Sequence, residues 1–385
     1  MQPRQKATSR AKFVSIRKSS MKKLLFLLAF IWVASGCGKN NPEPDTSFYL
    51  GFTPFPYSVT NIEQVMEDVY SKIASDGSLV AHHFDNGIPW NEALNNSTYP
   101  TDLLNDWAYR KSMTPAAHKV YVAVTPINID RNGLAPNRDE NGGDQPLNAP
   151  WNGYSFNDTE VKTAFLNYCK EVVDYFNPDY LAIGIEVNLL KKLAPTKWDA
   201  YVELQSFVYT ELKKVYPELP VFVSYTGFDL AGYTDANQQE QQNALNDLLP
   251  YTDYFGLSLH PQTSSFITET VPSVDVLKSI LLQTSKPVAI CETSYPAQYA
   301  SLYGGTIEFN GTPAKQKQYF ENLLKACKVV DTRFVVNWCV QDYDKLLDEL
   351  NLTDDVYLIW RDTGFYDENG NEREVLAVWK SKPNL

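Results

Sequence analysis

Two glutamates stand inside apolar runs of this 385-residue chain: Glu186 in LAIGIEVNLL (181–190) and Glu292 in KPVAICETSYP (286–296). An unpaired buried charge costs several kcal/mol, on the order found in real proteins, so a carboxylate in such a run calls for a reason. Glycoside cleavage supplies one. It needs two carboxyl groups flanking one bond, one protonated to donate to the leaving oxygen and one ionised. The plainer alternative is that each Glu pairs with a Lys or Arg across a shared cleft. No Arg lies within the polar ends of the apolar runs, so at least one of the two carboxyls is expected to titrate above its ordinary range.

What must position these groups is legible in the rest of the chain. Eight apolar runs recur: SFYLGF (47–52), SLVAHHF (78–84), KVYVAVTP (119–126), DYLAIGIE (179–186), PVFVSY (220–225), YFGLSLHP (254–261), KPVAICE (286–292) and RFVVNWCV (333–340). Between them lie stretches of helical periodicity: 61–75, 101–112, 157–176, 197–216, 237–249, 274–283 and 313–330. Asn157 or Asp158 can cap the third, and Pro178 and Pro220 stop two others ahead of a strand. Strict βα alternation implies a parallel sheet. Eight units predict a closed (β/α)8 TIM barrel, α/β in class, as a single domain over 48–385. An open doubly wound sheet is the alternative, but no glycine-rich phosphate loop follows the first strand.

A barrel places its chemistry where the strands end. Candidates collect there: His82, His83 and Asp85 after the second strand, Asn128 after the third, Glu186 and Asn188 after the fourth, Tyr225 after the fifth, His260 after the sixth, Glu292 after the seventh, and Trp338, Gln341 and Asp342 after the eighth. Alternation on the fourth strand puts Ala182, Gly184 and Glu186 on the barrel interior and Leu181, Ile183 and Ile185 against the helices.

This order of motifs resembles the clan A retaining glycoside hydrolases, over about residues 48–385. IGIEVN is similar to their fourth-strand acid/base element, which implies that Glu186 is the acid/base. KPVAICETSYP is similar to their seventh-strand element, which implies that Glu292 is the nucleophile. FGLSLHP places His260 where an aromatic residue, usually Tyr, orients the nucleophile, and VVNWCV places Trp338 at a sugar platform. WRDTGFYDENGNEREVLAVW is similar to the closing segment of family 53 endo-β-1,4-galactanases and some family 5 enzymes. Two departures stand out. Ile185 occupies the position of the family's Asn, which bonds the sugar 2-hydroxyl; Asn188 and Asn128 are the candidates to replace it. HHFDNGIPW occupies the region where many members carry an Arg. The resemblance implies a carbohydrate substrate, β-linked, and a mechanism that needs no metal and no cofactor. The other readings are a barrel that binds glycan without cleaving it, as one component of a polysaccharide uptake system, and a barrel hydrolase with a different acidic pair that uses Asp85 or Asp342.

Remaining residues fit around that frame. Adjacent His82 and His83 point to opposite faces of a strand, so at most one reaches the cleft, which argues against a metal pair. Trp90 and Trp151, in long loops, can stack on sugars or pack the loops. Aromatic content is 13%, with 24 Tyr and 8 Trp, enough to serve both purposes. The net charge is −12, and −20 without the first 37 residues, which hold eight Lys and Arg and no acid. A body that acidic disfavours nucleic acid and anionic lipid as partners. Met21-Lys22-Lys23 followed by LLFLLAFIWVASGC reads as an N-terminal extension plus a lipoprotein signal peptide (1–37), with Cys37 as the lipidated residue. GKNNPEPDTS then begins a tether over 38–47. The expected address is the bacterial outer membrane or cell surface, with membrane contact through the anchor only. Cys169, Cys291, Cys327 and Cys339 lack CxxC spacing and are expected as buried thiols.

Overall fold

The computed structural model describes residues 47–266 and 271–381; the expected signal peptide, Cys37 and most of the expected tether lie outside them. Eight strands form a closed parallel barrel: β1 (Tyr49–Phe52), β2 (Leu79–Phe84), β3 (Lys119–Val124), β4 (Tyr180–Ala182), β5 (Val221–Thr226), β6 (Phe255–Leu259), β7 (Val288–Thr293) and β8 (Thr332–Asn337). Each pairs with its sequence neighbours, and β8 closes on β1 with Tyr49 opposite Phe334. The expected strands and helices are thus present, with their ends moved by a few residues.

The covering helices are α1 (Ile62–Asp76), α2 (Thr101–Met113), α3 (Thr159–Phe176), α4 (Trp198–Val215), α5 (Gln238–Leu248), α6 (Val274–Leu281), α7 (Pro313–Cys327) and α8 (Glu374–Lys380). Asn237, Ser273 and Thr312 cap α5, α6 and α7 through their side-chain oxygens. Asp158 precedes α3, but its carboxylate accepts from the Ser155 N–H at 2.7 Å instead of capping the helix. Two short hairpins, Asn137–Asp139 with Gly142–Gln145 and Tyr299–Leu302 with Ile307–Asn310, extend the loops after β3 and β7. Their loops carry little apolar periodicity, which hid them from the pattern.

Alternation divides the buried side chains into two bodies. Leu79, Ala81, Tyr121, Ala123, Tyr180, Ala182, Phe222, Ala289, Cys291, Phe334 and Val336 fill the barrel interior. The opposite faces of the strands pack on the helices. Four rings, Tyr121, Tyr180, Phe222 and Phe334, make the floor, with centroids 4.9 Å apart for Tyr121–Phe334 and Tyr180–Phe334. Gly256 makes room for them: a Cβ there would lie 2.5 Å from the Val223 carbonyl and 3.1 Å from the Phe222 ring. All four cysteines in the body are buried and unbridged. The chemistry therefore has to sit above this packed floor.

Candidate active site

Glu186 reaches the barrel mouth because the fourth strand breaks its alternation. The β4 ladder ends at Ala182, four residues short of the expected end. Beyond it the chain still follows β5, with Ile183 N–H on the Phe222 carbonyl at 2.8 Å and Ser224 N–H on the Gly184 carbonyl at 2.9 Å. Gly184 faces the helix layer, not the interior: a Cβ there would stand 2.6 Å from the Tyr201 hydroxyl and 2.7 Å from Val187. Ile185 turns inward and joins the interior cluster. The inside and outside assignments of Gly184 and Ile185 are thus the reverse of the expectation. Glu186 regains the mouth through a left-handed backbone, φ +49°, its N–H bonded to Ser224 Oγ at 3.0 Å. A non-glycine residue in that region costs about 1–2 kcal/mol.

Glu292 arrives by a different irregularity. Leu257 pairs with Ile290 but Ser258 pairs with Glu292, and on the other side Val335 pairs with Ile290 but Asn337 with Thr293. One extra residue bulges β7 at Cys291–Glu292, so both can face the interior; bulges re-aim side chains in this way beside functional sites. An oxygen of Glu292 and an oxygen of Glu186 lie within 4.8 Å of each other.

Each oxygen of Glu292 meets an imidazole. His83 Nδ1 is 3.4 Å from Oε1 and His260 Nε2 is 3.6 Å from Oε2. His83 also places Nε2 3.3 Å from Asp85 Oδ2, so both its nitrogens face carboxylates. His260 Nδ1 is 2.8 Å from Ser294 Oγ, which accepts from Gln262 Nε2 at 2.6 Å. That acceptance leaves the serine hydrogen free to donate to Nδ1, which puts the imidazole hydrogen on Nε2, facing Glu292.

Burial works to raise Glu292, but His83, His260 and Arg131 outweigh it and hold the carboxyl below its usual range. Burial likewise disfavours the charged form of His83; Asp85 and Glu292 override it and push the imidazole up to about 9. Asp85, despite burial, is held at about 2, chiefly by His83. The expectation of carboxylates without cationic partners is corrected at both sites. Arg131, in the loop after β3, places Nη2 3.1 Å from Glu186 Oε2.

Of the other candidates, Trp338 belongs to the mouth: its ring meets His83 edge-on at 5.2 Å and Phe55 at 5.8 Å. Five do not. His82 faces the helices, bonded to Thr114 Oγ1 at 3.0 Å and 5.3 Å from the Phe176 ring, and burial and then Arg110 lower it to about 3. Tyr225 also faces outward, against Phe255. Asn188 is buried and spent on Thr226 and Gln241. Asn128 bonds within its own loop, to Asn132 and Gly133. Trp90 is fully buried, stacked on Trp151 at 5.3 Å and bonded to the Ala135 carbonyl.

Asp342 is a structural anchor. Its carboxylate takes both Arg373 Nη atoms, at 2.8 and 2.5 Å, and the Gly364 N–H at 2.9 Å, and so ties the closing segment to β8. That segment brings Trp360 to His260, ring centroids 4.8 Å apart. Sequence reasoning missed Arg131, Ser294, Gln262 and Trp360. Ser294 was within reach, two residues past Glu292; Arg131 is brought in by a loop and Trp360 by a four-residue helix, Leu358–Arg361, and neither carries a periodic signal. Glu186, His260 and Glu292 each bring one possible metal-ligand atom within 4.8 Å of the others, yet an ion there would compete with the Nε2 hydrogen of His260.

A parallel eight-stranded barrel with carboxylates delivered above the fourth and seventh strands defines the class of scaffold. No family model matches the chain, and no curated protein matches it. Solved structures do. An exo-β-1,4-mannosidase, Op5Man5, from Opitutaceae bacterium strain TAV5 superposes with a TM-score of 0.58 at 13% identity, over 87% of this chain and 58% of that one, so the chain spans little more than half of that enzyme. The GH53 catalytic domain of Ignisphaera aggregans gives 0.57 at 15% identity, over 88% of this chain and 98% of that one. A GH5_18 protein from Streptomyces cattleya, in complex with Manb1-4GlcNAc, gives 0.61 at 12% identity, over 87% and 80%. The shared fold is the (β/α)8 barrel of these glycoside hydrolases.

Proposed function

We propose that the protein is a retaining glycoside hydrolase acting on a β-linked polysaccharide or oligosaccharide. The observation that carries this reading is the pair of carboxylates, with oxygens within 4.8 Å, one of them held ionised by two imidazoles. Retention uses carboxyl groups about 5–5.5 Å apart, inversion about 6.5–9.5 Å, so the close spacing supports double displacement.

In that reaction a Glu292 oxygen attacks the anomeric carbon while Glu186 gives its proton to the departing glycosidic oxygen. The product is a glycosyl ester on Glu292. Glu186, now ionised, takes a proton from water as the water oxygen attacks the same carbon and the ester bond to Glu292 breaks. His260 and His83 keep Glu292 ionised and fixed, and Trp338 offers the sugar a flat face. Ile185 supplies no hydrogen bond to the 2-hydroxyl.

The test is hydrolysis of a panel of β-linked polysaccharides and aryl glycosides by the full chain beside Glu186→Gln and Glu292→Gln. Turnover that each substitution lowers at least 1,000-fold would uphold the reading. Silence across the panel, with glycan binding intact in all three proteins, would favour a second reading, a glycan-binding barrel. One observation supports that alternative: buried Arg131 already holds Glu186 Oε2 in an ion pair at 3.1 Å. We further propose export and lipid attachment at Cys37; labelled palmitate that a Cys37→Ala chain also incorporates would refute this.

A further inference from the structure

Arg131 is presented by a turn built for it. Its N–H bonds the Asn128 carbonyl at 2.9 Å, Asn128 Oδ1 accepts from the N–H groups of Asn132 and Gly133, and Lys197 Nζ holds the Asn132 carbonyl at 2.7 Å. Within that turn Arg131 takes a left-handed backbone, φ +52°. The residue is 5% exposed, yet its guanidinium is underused. Nη1 reaches only the Asn128 carbonyl at 3.4 Å, Nη2 reaches Glu186 Oε2 at 3.1 Å, and the buried Nε has no hydrogen-bond partner. Arg373, which has a structural task, instead grips Asp342 with two nitrogens and the carbonyls of Asp362 and Gly364 with one of them.

Charge bookkeeping in the mouth makes this arrangement informative. Glu186, Glu292 and Asp85 face Arg131 and His83, and His83 is already committed to Asp85 and Glu292. A general acid must hold a proton. Once Glu186 does, Arg131 loses its one ion-pair partner within 4 Å among the described residues and keeps only the longer-range pull of Glu292 and Asp85; removing one partner of a buried pair is costly. An incoming anion would take that partner's place. The Nε–Nη2 edge of a guanidinium matches the two oxygens of a planar carboxylate, and here that edge is half used.

We propose that the substrate carries a carboxylate on the leaving-group side, as a uronic acid residue, which replaces Glu186 on the Nε–Nη2 edge of Arg131. Glu186, released from the ion pair, takes a proton from solvent and stands ready to donate it. A neutral sugar leaves the Arg131–Glu186 pair intact and the acid unprimed, so selectivity and activation come from one exchange. This rests on the reading of Glu186 as the acid/base.

The test uses matched pairs: β-1,4-linked gluco-, manno- and galacto-oligosaccharides, each beside its C6-oxidised counterpart. Binding to the full chain carrying Glu292→Gln is measured by calorimetry at pH 7, so no turnover is needed. In at least one pair the oxidised member should bind tenfold or more tightly than the neutral one, and adding Arg131→Gln should reduce that advantage below twofold. No preference in any pair, or a preference that survives Arg131→Gln, overturns the proposal. If Arg131→Gln does not fold, carbon-13 carboxyl titration of Glu186 in the Glu292→Gln protein decides. Saturation with the oxidised oligosaccharides should move its midpoint to at least tenfold lower proton concentration, while the neutral ones leave it in place; an unmoved midpoint overturns the proposal. Carboxylate selectivity without hydrolysis by the parent would sink the glycosidase reading alone, and hydrolysis without that selectivity would sink only this inference.

Discussion

Replacing His83 with Gln removes the positive charge between Asp85 and Glu292 while keeping a polar group of similar reach. In the folded protein His83 is raised from about 6.5 to about 9 by the balance of burial, Asp85 and Glu292. At 1.36 kcal/mol per tenfold change in proton affinity, the protonated imidazole is favoured in the fold by about 3 kcal/mol. Because the folded value is the higher one, this stabilisation is complete below about pH 6.5 and fades as the pH climbs through about 9. His83→Gln should therefore be less stable than the parent by about 3 kcal/mol at pH 6 and by little at pH 10, where both lack the charge. Urea unfolding of both proteins at pH 6, 8 and 10 measures the gap directly. If turnover is found, its alkaline limb in the parent should also fall near pH 9 and be absent in the variant. A stability gap that stays constant or widens between pH 6 and pH 10 would refute the assignment of a charged His83 between two carboxylates.

Ser294→Ala should lower turnover about tenfold with KM within twofold, because His260 loses the hydroxyl that fixes its hydrogen on Nε2. Nitrogen-15 shifts of His260 should report a mixed tautomer, and Ser294→Thr should restore most of the rate; unchanged shifts in the alanine variant would contradict the hydroxyl's role. Gly184→Ala should destabilise the fold by about 1–3 kcal/mol through overpacking, since its Cβ would press on Tyr201 and Val187; a neutral result by thermal melting would disprove its outward placement. His82→Leu should leave turnover within twofold of the parent, because this histidine lies in the helix layer at the Thr114 hydroxyl; a loss beyond tenfold would mean that it faces the mouth.

The eightfold βα alternation, the helix spans and the two glutamates are legible in the chain because each rests on local patterns. Burying one helix face has a period near 3.6, a doubly buried strand is an uninterrupted apolar run, and the polar residue that ends such a run marks the barrel mouth. Tyr225, Asn188 and Asn128 fail because nearness to a strand end does not fix direction, while His82 and Trp90 take the alternatives that the sequence left open, the helix layer and loop packing. Near a strand end the choice between mouth and helix layer turns on a single residue of register. At Ile185 and Gly184 that register slips without any sign in the sequence.

The sequence by itself determined which segments form the barrel wall and that Glu186 and Glu292 belong near one rim. Tertiary structure decided how they get there and what they meet. A left-handed backbone at Glu186 and a bulge before Glu292 depend on hydrogen bonds from neighbouring strands, with Ser224 serving the first and Ser258 and Asn337 setting the register around the second. The partners His83, His260 and Arg131 come from three other strand ends and loops, 32 to 209 residues away in the chain. Closure of the barrel brings such charges within a few ångströms, and only then do distance and burial set which carboxyl stays ionised.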